Sequence, residues 1–169
     1  MDYNPQGKDF YMNKEDFSKQ VLAAESSLYR VAKSILHNDE DCADAIQNGI
    51  LKAYQKLDTL RNETYFKTWL TRIVINECYS LVRMAQRYVP LDQYPGWDAE
   101  AVYDAEDESD VMIALVQLDE KYRIPLVLHE IEGYSVKEIG KILGLSETNV
   151  GNRIFRGKKK LRKQLEGSV

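Results

Sequence analysis

One stretch near the C-terminus, GYSVKEIGKILGLSETNVGNRIF (residues 133–155), restricts the possible folds of this chain more than any other. Ser135, followed three residues later by Glu138, forms a capping-box pattern and predicts the start of a helix. Gly144 predicts the end of that helix, because glycine adopts the left-handed backbone without steric cost. Ser146 then predicts the N-cap of a second helix. Two short helices joined by a glycine-containing turn predict a helix-turn-helix.

The second helix of this motif carries polar and basic side chains away from its apolar face. Such side chains offer hydrogen bonds to base edges and phosphates. We therefore predict that the helix reads duplex DNA, with these candidate contacts: Thr148, Asn149, Asn152, Arg153, Arg156, Lys158 and Lys159. The alternative is a plain helical hairpin whose second helix is merely charged. A surface kept only for solubility would usually include acids, and none occurs between Glu147 and Glu166.

Gly151 lies in the middle of this helix, where a side chain would be expected to do the reading. A glycine costs a helix about 0.5–1 kcal/mol relative to alanine, and Gly157 repeats that cost. Two glycines indicate either a close approach of the backbone to DNA or a helix that becomes rigid only when bound. The alternative at Gly151 is that a side-chain contact has been lost and DNA binding is weaker as a result.

Charge is strongly segregated along the chain, although the net charge is only −4. Residues 88–109 carry seven acids and no base, whereas residues 151–164 carry seven bases and no acid. Local fields, rather than the net charge, decide which surface meets phosphate, so the basic run favours nucleic-acid binding. The alternative is a solvated helix end, where cations favour the C-terminal dipole.

The predicted fold class is all-α: two small helical domains joined by an acidic linker, the C-terminal one a helix-turn-helix. Apolar spacing predicts N-terminal helices over residues 13–36 (one or two helices), 39–57 and 65–87. Further helices are predicted over 109–118, 124–132 with Pro125 in its first turn, 136–143 and 147–165. Residues 88–109 have two prolines, a Pro-Gly pair and no sustained period, which indicates a linker between domains at 1–87 and 110–169.

The helix predicted over residues 65–87 has two different faces. One face is apolar, with Trp69 at its edge, and the other carries polar side chains at helical spacing: Thr68, Arg72, Asn76, Tyr79 and Arg83. Such a strip suits single-stranded or distorted DNA, because bases stack on rings while Arg and Asn hold the backbone and base edges. The alternative is a solvated polar face with a core tryptophan. Glu77 falls inside the apolar arc, and the sequence does not explain it.

Other classes of function find little support in the residues. The two cysteines and two histidines are scattered, so we predict no metal site and no disulfide. We find no glycine-rich phosphate loop and no nucleophile elbow, and we predict no enzymatic activity, cofactor or small-molecule substrate. We see no apolar run long enough to span a bilayer, so we expect the protein in the cytosol.

From about Phe17 to Leu165, the chain resembles the extracytoplasmic-function (ECF) sigma factors of bacterial transcription, the compact class with only sigma regions 2 and 4. The likeness is carried by five segments in order: DCADAIQNGILKAY (41–54), FKTWLTRIVINECYSLVR (66–83), LDEKYRIPLVL (118–128), EGYSVKEIGKILGLS (132–146) and NRIFRGKKKLRKQL (152–165). The resemblance implies a protein that binds core RNA polymerase, recognises promoter DNA and starts transcription of a stress-response regulon. The alternative function is a helix-turn-helix regulator that binds duplex DNA without being a polymerase subunit.

The resemblance implies roles for individual residues of the N-terminal domain. The acidic second helix would dock on a coiled coil of the largest core polymerase subunits through Asp41, Asp44, Gln47 and Asn48. The loop before the third helix, with the polar face of that helix, would open the minus-ten element and capture an extruded base. These minus-ten contacts would be Arg61, Asn62, Thr64, Trp69, Arg72, Asn76 and Arg83. Extruding a base costs a few kcal/mol of stacking and pairing free energy, which binding in a preformed pocket must offset.

Several positions depart from the family pattern. Asn48 and Ile50 replace the usual Glu and Phe, so the docking surface is expected to differ. Ser80 stands where the family often has Asp, and only Arg87 follows where the basic cluster is usually richer, which predicts weak melting or an unusual promoter sequence. In the C-terminal helix, which would read the minus-thirty-five element, Gly151 replaces a usual Lys or Arg and Gly157 a usual Ala.

The resemblance also bears on the linker and on further partners. In the family the acidic linker passes through polymerase channels that otherwise hold nucleic acid, so its charge would mimic nucleic acid; the alternative is an unstructured tether. Membrane-anchored anti-sigma factors are common in the family and cover the surfaces used for polymerase and DNA. The resemblance adds such a factor, which would hold the protein at the membrane, to the partners to be tested.

Overall fold

A computed structural model describes residues 10–88 and 110–167, so the predicted linker lies almost entirely outside the described residues. The described part is all-α, as predicted, with no strand in either range. The helices are α1 (Lys14–Leu36), α2 (Asp39–Gln55), α3 (Phe66–Tyr88), α4 (Asp110–Val116), α5 (Glu120–Leu126), α6 (Val136–Leu143) and α7 (Glu147–Gly167). We call residues 10–88 the N-terminal lobe and residues 110–167 the C-terminal lobe.

Asparagine side chains start the first two helices. The Asn13 Oδ1 atom accepts a hydrogen bond from the Asp16 backbone N–H, and the Asn38 Oδ1 atom accepts one from the Asp41 N–H, each at 2.8 Å. Both satisfy a backbone donor that the first turn of a helix leaves without a partner. α1 is one continuous helix and ends at His37, whose φ of 63° turns the chain toward α2.

The core of the N-terminal lobe lies where α1, α2 and α3 meet. Phe17, Leu28, Phe66 and Leu70 are buried there, and each contributes about 1.5–3 kcal/mol by leaving water. Gly49 permits the close approach of α2 to α3, because a Cβ atom at this position would lie only 2.7 Å from the Val74 Cγ2 atom.

The same helix pair explains Glu77. Its side chain is only 12% exposed, and its Oε1 atom lies 2.5 Å from the Lys52 Nζ atom of α2. The carboxylate therefore has a charged partner on the neighbouring helix, which a pattern within α3 alone cannot reveal.

The start predicted for the helix around Pro125 is wrong. α5 begins at Glu120, so Pro125 lies inside it rather than in its first turn. The helical start at Glu120 was missed because Arg123 is charged and so does not continue the apolar pattern, although it is buried. Its Nη1 atom donates to the carbonyls of Val116 (3.0 Å) and Leu118 (2.7 Å). After α5 the chain continues as a π-helical turn, Val127–Ile131.

The helix-turn-helix forms as predicted. Ser135 and Glu138 make both bonds of the capping box, at 2.8 and 3.2 Å, and Gly144 ends α6 with a φ of 68°. Gly140 has a role that the sequence did not suggest. A Cβ atom there would lie 2.7 Å from the Leu145 carbonyl oxygen, so the turn can lie against α6 only because the side chain is absent.

The two lobes pack against each other. α1 and α3 of the N-terminal lobe contact α5, the π-helical turn and α6 of the C-terminal lobe. Part of α3 is thereby covered by the second lobe, which determines how much of its polar face remains open to solvent.

Candidate functional site

The predicted polymerase-docking residues lie on one side of α2. Asp44, Gln47 and Asn48 are exposed. Asp41 is half-buried, and its Oδ2 atom accepts a hydrogen bond at 2.7 Å from the Asn38 side-chain amide. Asp41 therefore holds the start of the helix, whereas the other three side chains are open to a partner.

Two apolar side chains extend this surface and were missed by the sequence analysis. Leu51 is 57% exposed and Tyr54 is 46% exposed, and the Tyr54 ring lies 5.4 Å from the Phe17 ring. Leu51 follows Asp44 by seven residues, or about two helical turns, which puts both on the same face. That spacing is the signal that could have identified Leu51. We call the exposed side chains Asp44, Gln47, Asn48, Leu51 and Tyr54 the α2 surface.

The loop before α3 presents Arg61, Asn62 and Thr64, all exposed. The Asn62 Oδ1 atom accepts a hydrogen bond from the Thr64 backbone N–H at 2.9 Å, which caps the short 3₁₀ turn Glu63–Tyr65. Glu63 in turn accepts a hydrogen bond from the Gln20 side chain of α1 at 3.0 Å. The loop is thus fixed at its start and tied to the helix bundle.

On α3, Arg72, Asn76 and Arg83 are exposed and form a line along the helix. The Arg83 Nη2 atom donates to the Ser80 Oγ atom at 3.1 Å, and the Ser80 hydroxyl donates to the Asn76 carbonyl at 2.9 Å. Ser80, a departure from the family pattern, thereby holds Arg83 beside Asn76. We call Arg72, Asn76 and Arg83 the α3 strip.

The other polar positions predicted on this face are less open. Thr68 and Tyr79 are half-buried. Burial, reinforced by the neighbouring Glu120 of the C-terminal lobe, raises the pKa of the Tyr79 hydroxyl well above its usual value. The structure therefore divides the predicted face into the exposed α3 strip and a part close to the second lobe.

Trp69 is half-buried at the edge of the α3 strip. Its ring lies 5.9 Å from the Phe66 ring at an interplanar angle of 49°. One part of the indole packs on the core and the other part stays exposed, so the ring can serve as a stacking surface whose position is set by the core.

On α7, Thr148, Asn149, Asn152, Arg156 and Lys159 are exposed and lie on one side of the helix. We call these five side chains the α7 reading face. Arg153 is half-buried at its edge, and its Nε atom donates to the Asn149 Oδ1 atom at 2.7 Å. The Val150 and Ile154 side chains on the opposite side are buried and form the apolar face of the helix.

Lys158 is separated from the α7 reading face. Its ammonium group forms an ion pair with Glu130, whose Oε1 atom also lies 2.8 Å from the His129 Nδ1 atom. Hydrogen bonding by Lys158, followed by that of His129, lowers the pKa of the Glu130 carboxyl. Lys158 therefore ties α7 to the π-helical turn, whereas the sequence suggested a DNA contact.

The two glycines of α7 have different surroundings. A Cβ atom at Gly151 would meet nothing within 4 Å, whereas one at Gly157 would lie 2.8 Å from Leu126 Cδ1 and 3.3 Å from Tyr122 Cβ. Gly157 is explained by packing on α5, so reading both glycines as one DNA-related feature is wrong. Phe155, one turn after Gly151 and 70% exposed, was missed, although its position off the Val150–Ile154 side could have indicated it.

The cysteines are buried in the N-terminal lobe. Burial raises the pKa of Cys42 to about 11 and that of Cys78 to about 12, so both thiols stay protonated at neutral pH. Within residues 10–88 and 110–167, no group of three His, Cys, Asp or Glu side chains is placed to hold a metal ion. No helix in the described part of the chain has the length and apolarity needed to cross a membrane.

Comparison with known proteins matches both lobes to one family. The Sigma-70 region 2 model matches residues 21–88, and the Sigma-70 region 4 model matches residues 110–161. The ECF RNA polymerase sigma factor SigM of Mycobacterium tuberculosis is 32% identical over 141 residues, covering 82% of this chain and 71% of that protein. The RNA polymerase sigma factor SigV of Bacillus subtilis is 27% identical over 160 residues, covering 91% and 96%.

Solved structures show the same fold. The sigma factor RpoE of Bartonella quintana, in complex with the anti-sigma factor NepR, has a TM-score of 0.74 at 23% identity, covering 90% of this chain and 98% of that one. CnrH, in complex with the cytosolic domain of CnrY, has a TM-score of 0.69 at 24% identity, covering 93% and 92%. The chain belongs to the ECF RNA polymerase sigma factors and is a sigma factor that binds core RNA polymerase and promoter DNA to start transcription.

Proposed function

We propose that this sigma factor divides its work between two lobes. Residues 1–87 bind core polymerase and open the minus-ten element, residues 110–169 read the minus-thirty-five element, and residues 88–109 connect them. The observation that carries the proposal is the α3 strip, exposed in the same lobe as the α2 surface. A regulator that only binds duplex DNA has no use for this combination.

The α2 surface is the proposed polymerase-docking site. Its polar part comprises Asp44, Gln47 and Asn48, and its apolar part comprises Leu51 and Tyr54. Protein interfaces commonly combine a few apolar or aromatic anchors with a polar rim. Asp41 contributes charge near this site while it holds the start of the helix.

The α3 strip is the proposed site of strand opening. Arg72 and Arg83 would hold the phosphate backbone, Asn76 would bond a base edge, and Trp69 would stack on an extruded base. Stacking on an aromatic side chain is worth about 1–3 kcal/mol per base, which offsets much of the cost of extrusion. Arg61, Asn62 and Thr64 extend the surface on the fixed loop before α3.

The α7 reading face is the proposed minus-thirty-five site. Arg156 and Asn152 would bond base edges in the major groove, Thr148 and Asn149 would flank them, and Lys159 would contact phosphate. Arg153 would act mainly by positioning Asn149. We add Phe155 as an apolar contact for a thymine methyl group.

The proposal extends to the location of the protein in the cell and to its partners. The protein acts without catalysis or a cofactor, in the cytosol with core polymerase, on a stress-response regulon. RpoE was solved with an anti-sigma factor, which supports an anti-sigma partner for this chain as well; such a partner, where membrane-anchored, would hold the protein at the membrane.

Reconstitution with bacterial core polymerase on a randomised promoter library, followed by sequencing of the transcripts, tests this proposal. We expect start sites that share two conserved elements. The variant carrying Asp44→Ala and Gln47→Ala is expected to lose pull-down of core enzyme while keeping its helical circular dichroism. Start sites that lacked either of the two elements would contradict the proposed division between the lobes.

A further inference from the structure

Two side chains of α7 are joined in a way that fixes the orientation of one of them. The Arg153 Nε atom donates a hydrogen bond of 2.7 Å to the Asn149 Oδ1 atom, one turn earlier in the helix. Asn149 is exposed in the first turn of α7, and its backbone N–H donates to the Ser146 Oγ atom at 3.1 Å. Both the backbone and the side chain of Asn149 are therefore held in place before DNA binds.

The partner determines which way the Asn149 amide faces. The two ends of an asparagine amide have nearly the same shape, but one end is an acceptor and the other carries two donors. A guanidinium group has only donors, so the amide atom that faces Arg153 has to be the oxygen. Turning the amide over would place donors against each other and would break a charge-assisted hydrogen bond. Arg153 thus engages the oxygen of Asn149 and leaves its NH₂ group for another partner.

A second asparagine on the α7 reading face has no such partner. Asn152 is exposed, and its side chain makes no hydrogen bond within residues 10–88 and 110–167. Its amide is therefore able to turn either way. A free asparagine amide reads adenine by accepting a hydrogen bond from the N6 amino group and donating one to N7. Asn149 and Asn152 are thus the same residue type with different hydrogen-bonding capacity.

The edges of the four bases differ in how well they fit an NH₂ group whose oxygen is already engaged. In the major groove guanine presents two acceptors, N7 and O6, whereas adenine presents one acceptor beside a donor. Thymine presents one acceptor and a methyl group, and cytosine presents a donor. The NH₂ group of Asn149 therefore matches guanine best, because an adenine would lose the bond from its N6 amino group.

We propose that Arg153 is a positioning residue that sets base specificity: by engaging the Asn149 oxygen, it makes Asn149 a donor that selects guanine over adenine. The inference rests on the minus-thirty-five site proposed above and adds Asn149 to the base contacts of Asn152 and Arg156. The expected preference for guanine over adenine is about tenfold at one base pair, as one good base contact provides.

The test uses holoenzyme assembled from the full-length chain and bacterial core polymerase. Its binding is titrated on a panel that contains every single-base change in the minus-thirty-five element of a selected promoter. Asn149→Ala identifies the base pair that this side chain contacts, because the preference is lost at that base pair alone. Wild type is expected to prefer guanine there by about tenfold, and Arg153→Met is expected to lose this preference or to reverse it in favour of adenine. A merely structural role of Arg153 would lower the affinity equally for every promoter in the panel.

Two further variants separate the hydrogen bond from the charge. Lys158→Met is the matched control, because it removes one positive charge from the same helix and introduces the same side chain. The Lys158 ammonium group pairs with Glu130, away from the α7 reading face, so this variant is expected to keep the guanine preference. Asn149→Asp retains an acceptor for Arg153 but has no donor for guanine. It is expected to lose the preference.

Several outcomes would overturn the role of Arg153. They are a wild-type preference for another base at this base pair, an unchanged preference in Arg153→Met, an equal loss on every promoter, and a loss of preference in the Lys158→Met control. Asn149→Ala without any change in base preference would also overturn it, because Asn149 would then contact only phosphate. If circular dichroism shows that Arg153→Met does not fold, a guanine preference retained by Asn149→Asp overturns the proposal. A wild-type protein with no preference at any base pair of the element would instead overturn the minus-thirty-five site itself.

Discussion

The two helices proposed to meet DNA, α3 and α7, support their exposed side chains differently. The α3 strip belongs to a helix that packs against α1, α2 and α6. Ser80 bonds Arg83 of the strip, and Trp69 at its edge lies on Phe66. The α7 reading face has one internal brace, between Arg153 and Asn149, and an open position at Gly151. A site that captures an extruded base gains from a fixed geometry, whereas groove contacts can be adjusted by the duplex.

The largest loss of transcription should come from substitutions in the α3 strip. We expect the variant carrying Arg72→Ala and Asn76→Ala to lower transcription initiation about a hundredfold, because the loss of two contacts of about 1–3 kcal/mol each raises the barrier to strand opening. Permanganate footprinting of the minus-ten element would measure the opening. A promoter template already mismatched at this element serves as the control and should restore most of the activity. Equal losses on both templates would contradict a role in opening.

The next effect concerns the α7 reading face. Arg156→Ala should weaken promoter binding by roughly 1–3 kcal/mol and relax the preference at one base pair, whereas Lys159→Ala should mainly reduce the salt dependence. Binding titrations on a set of single-base promoter variants at several salt concentrations would separate the two. Equal losses for both variants, independent of sequence, would show that Arg156 contacts phosphate only.

A smaller effect is expected at Gly157, where α7 packs against α5. Gly157→Val should destabilise the protein by about 1–2 kcal/mol, because overpacking against Leu126 and Tyr122 costs more than the helix propensity gained. Chemical denaturation followed by circular dichroism would measure it. Gly151→Val is the matched control and should be neutral or slightly stabilising, because its side chain enters open space. Equal destabilisation at both positions would contradict the distinction between them.

The smallest effect is expected at Gly151, where an added side chain would change promoter binding. Gly151→Lys should tighten promoter binding a few-fold with unchanged sequence preference and a steeper salt dependence, as one added phosphate contact would produce. Competition binding against wild type on the selected promoter would measure it. Weaker binding would show that the gap at Gly151 is needed for a close approach of the backbone to DNA.

Local patterns were sufficient for the features that depend on neighbouring residues. The caps at Ser135 and Ser146 and the end of α6 at Gly144 form as predicted, because each depends on bonds within four residues. The helix-turn-helix followed from these three. The all-α class followed from helical spacing on both sides of the predicted linker.

The features that were missed depend on residues far apart in the sequence. Glu77 has its partner on α2, Lys158 has its partner in the π-helical turn, and Gly157 is required by Leu126. A helical pattern shows which side of a helix a residue occupies, but it does not show what packs there. Leu51 is an exception, because its spacing from Asp44 was visible in the sequence and only its exposure was not.

The buried arginine of α5 has a consequence for dividing the chain into fragments. The Arg123 Nε atom donates to the Ser34 carbonyl at 2.9 Å, and this carbonyl lies in the last turn of α1, where helices leave acceptors without partners. The same guanidinium also donates to the carbonyls of Val116, the last residue of α4, and of Leu118 just after it. An N-terminal fragment produced by cleavage between the lobes would lose the donor that completes the end of α1. Residue boundaries chosen at the linker alone would therefore not give two structurally complete halves.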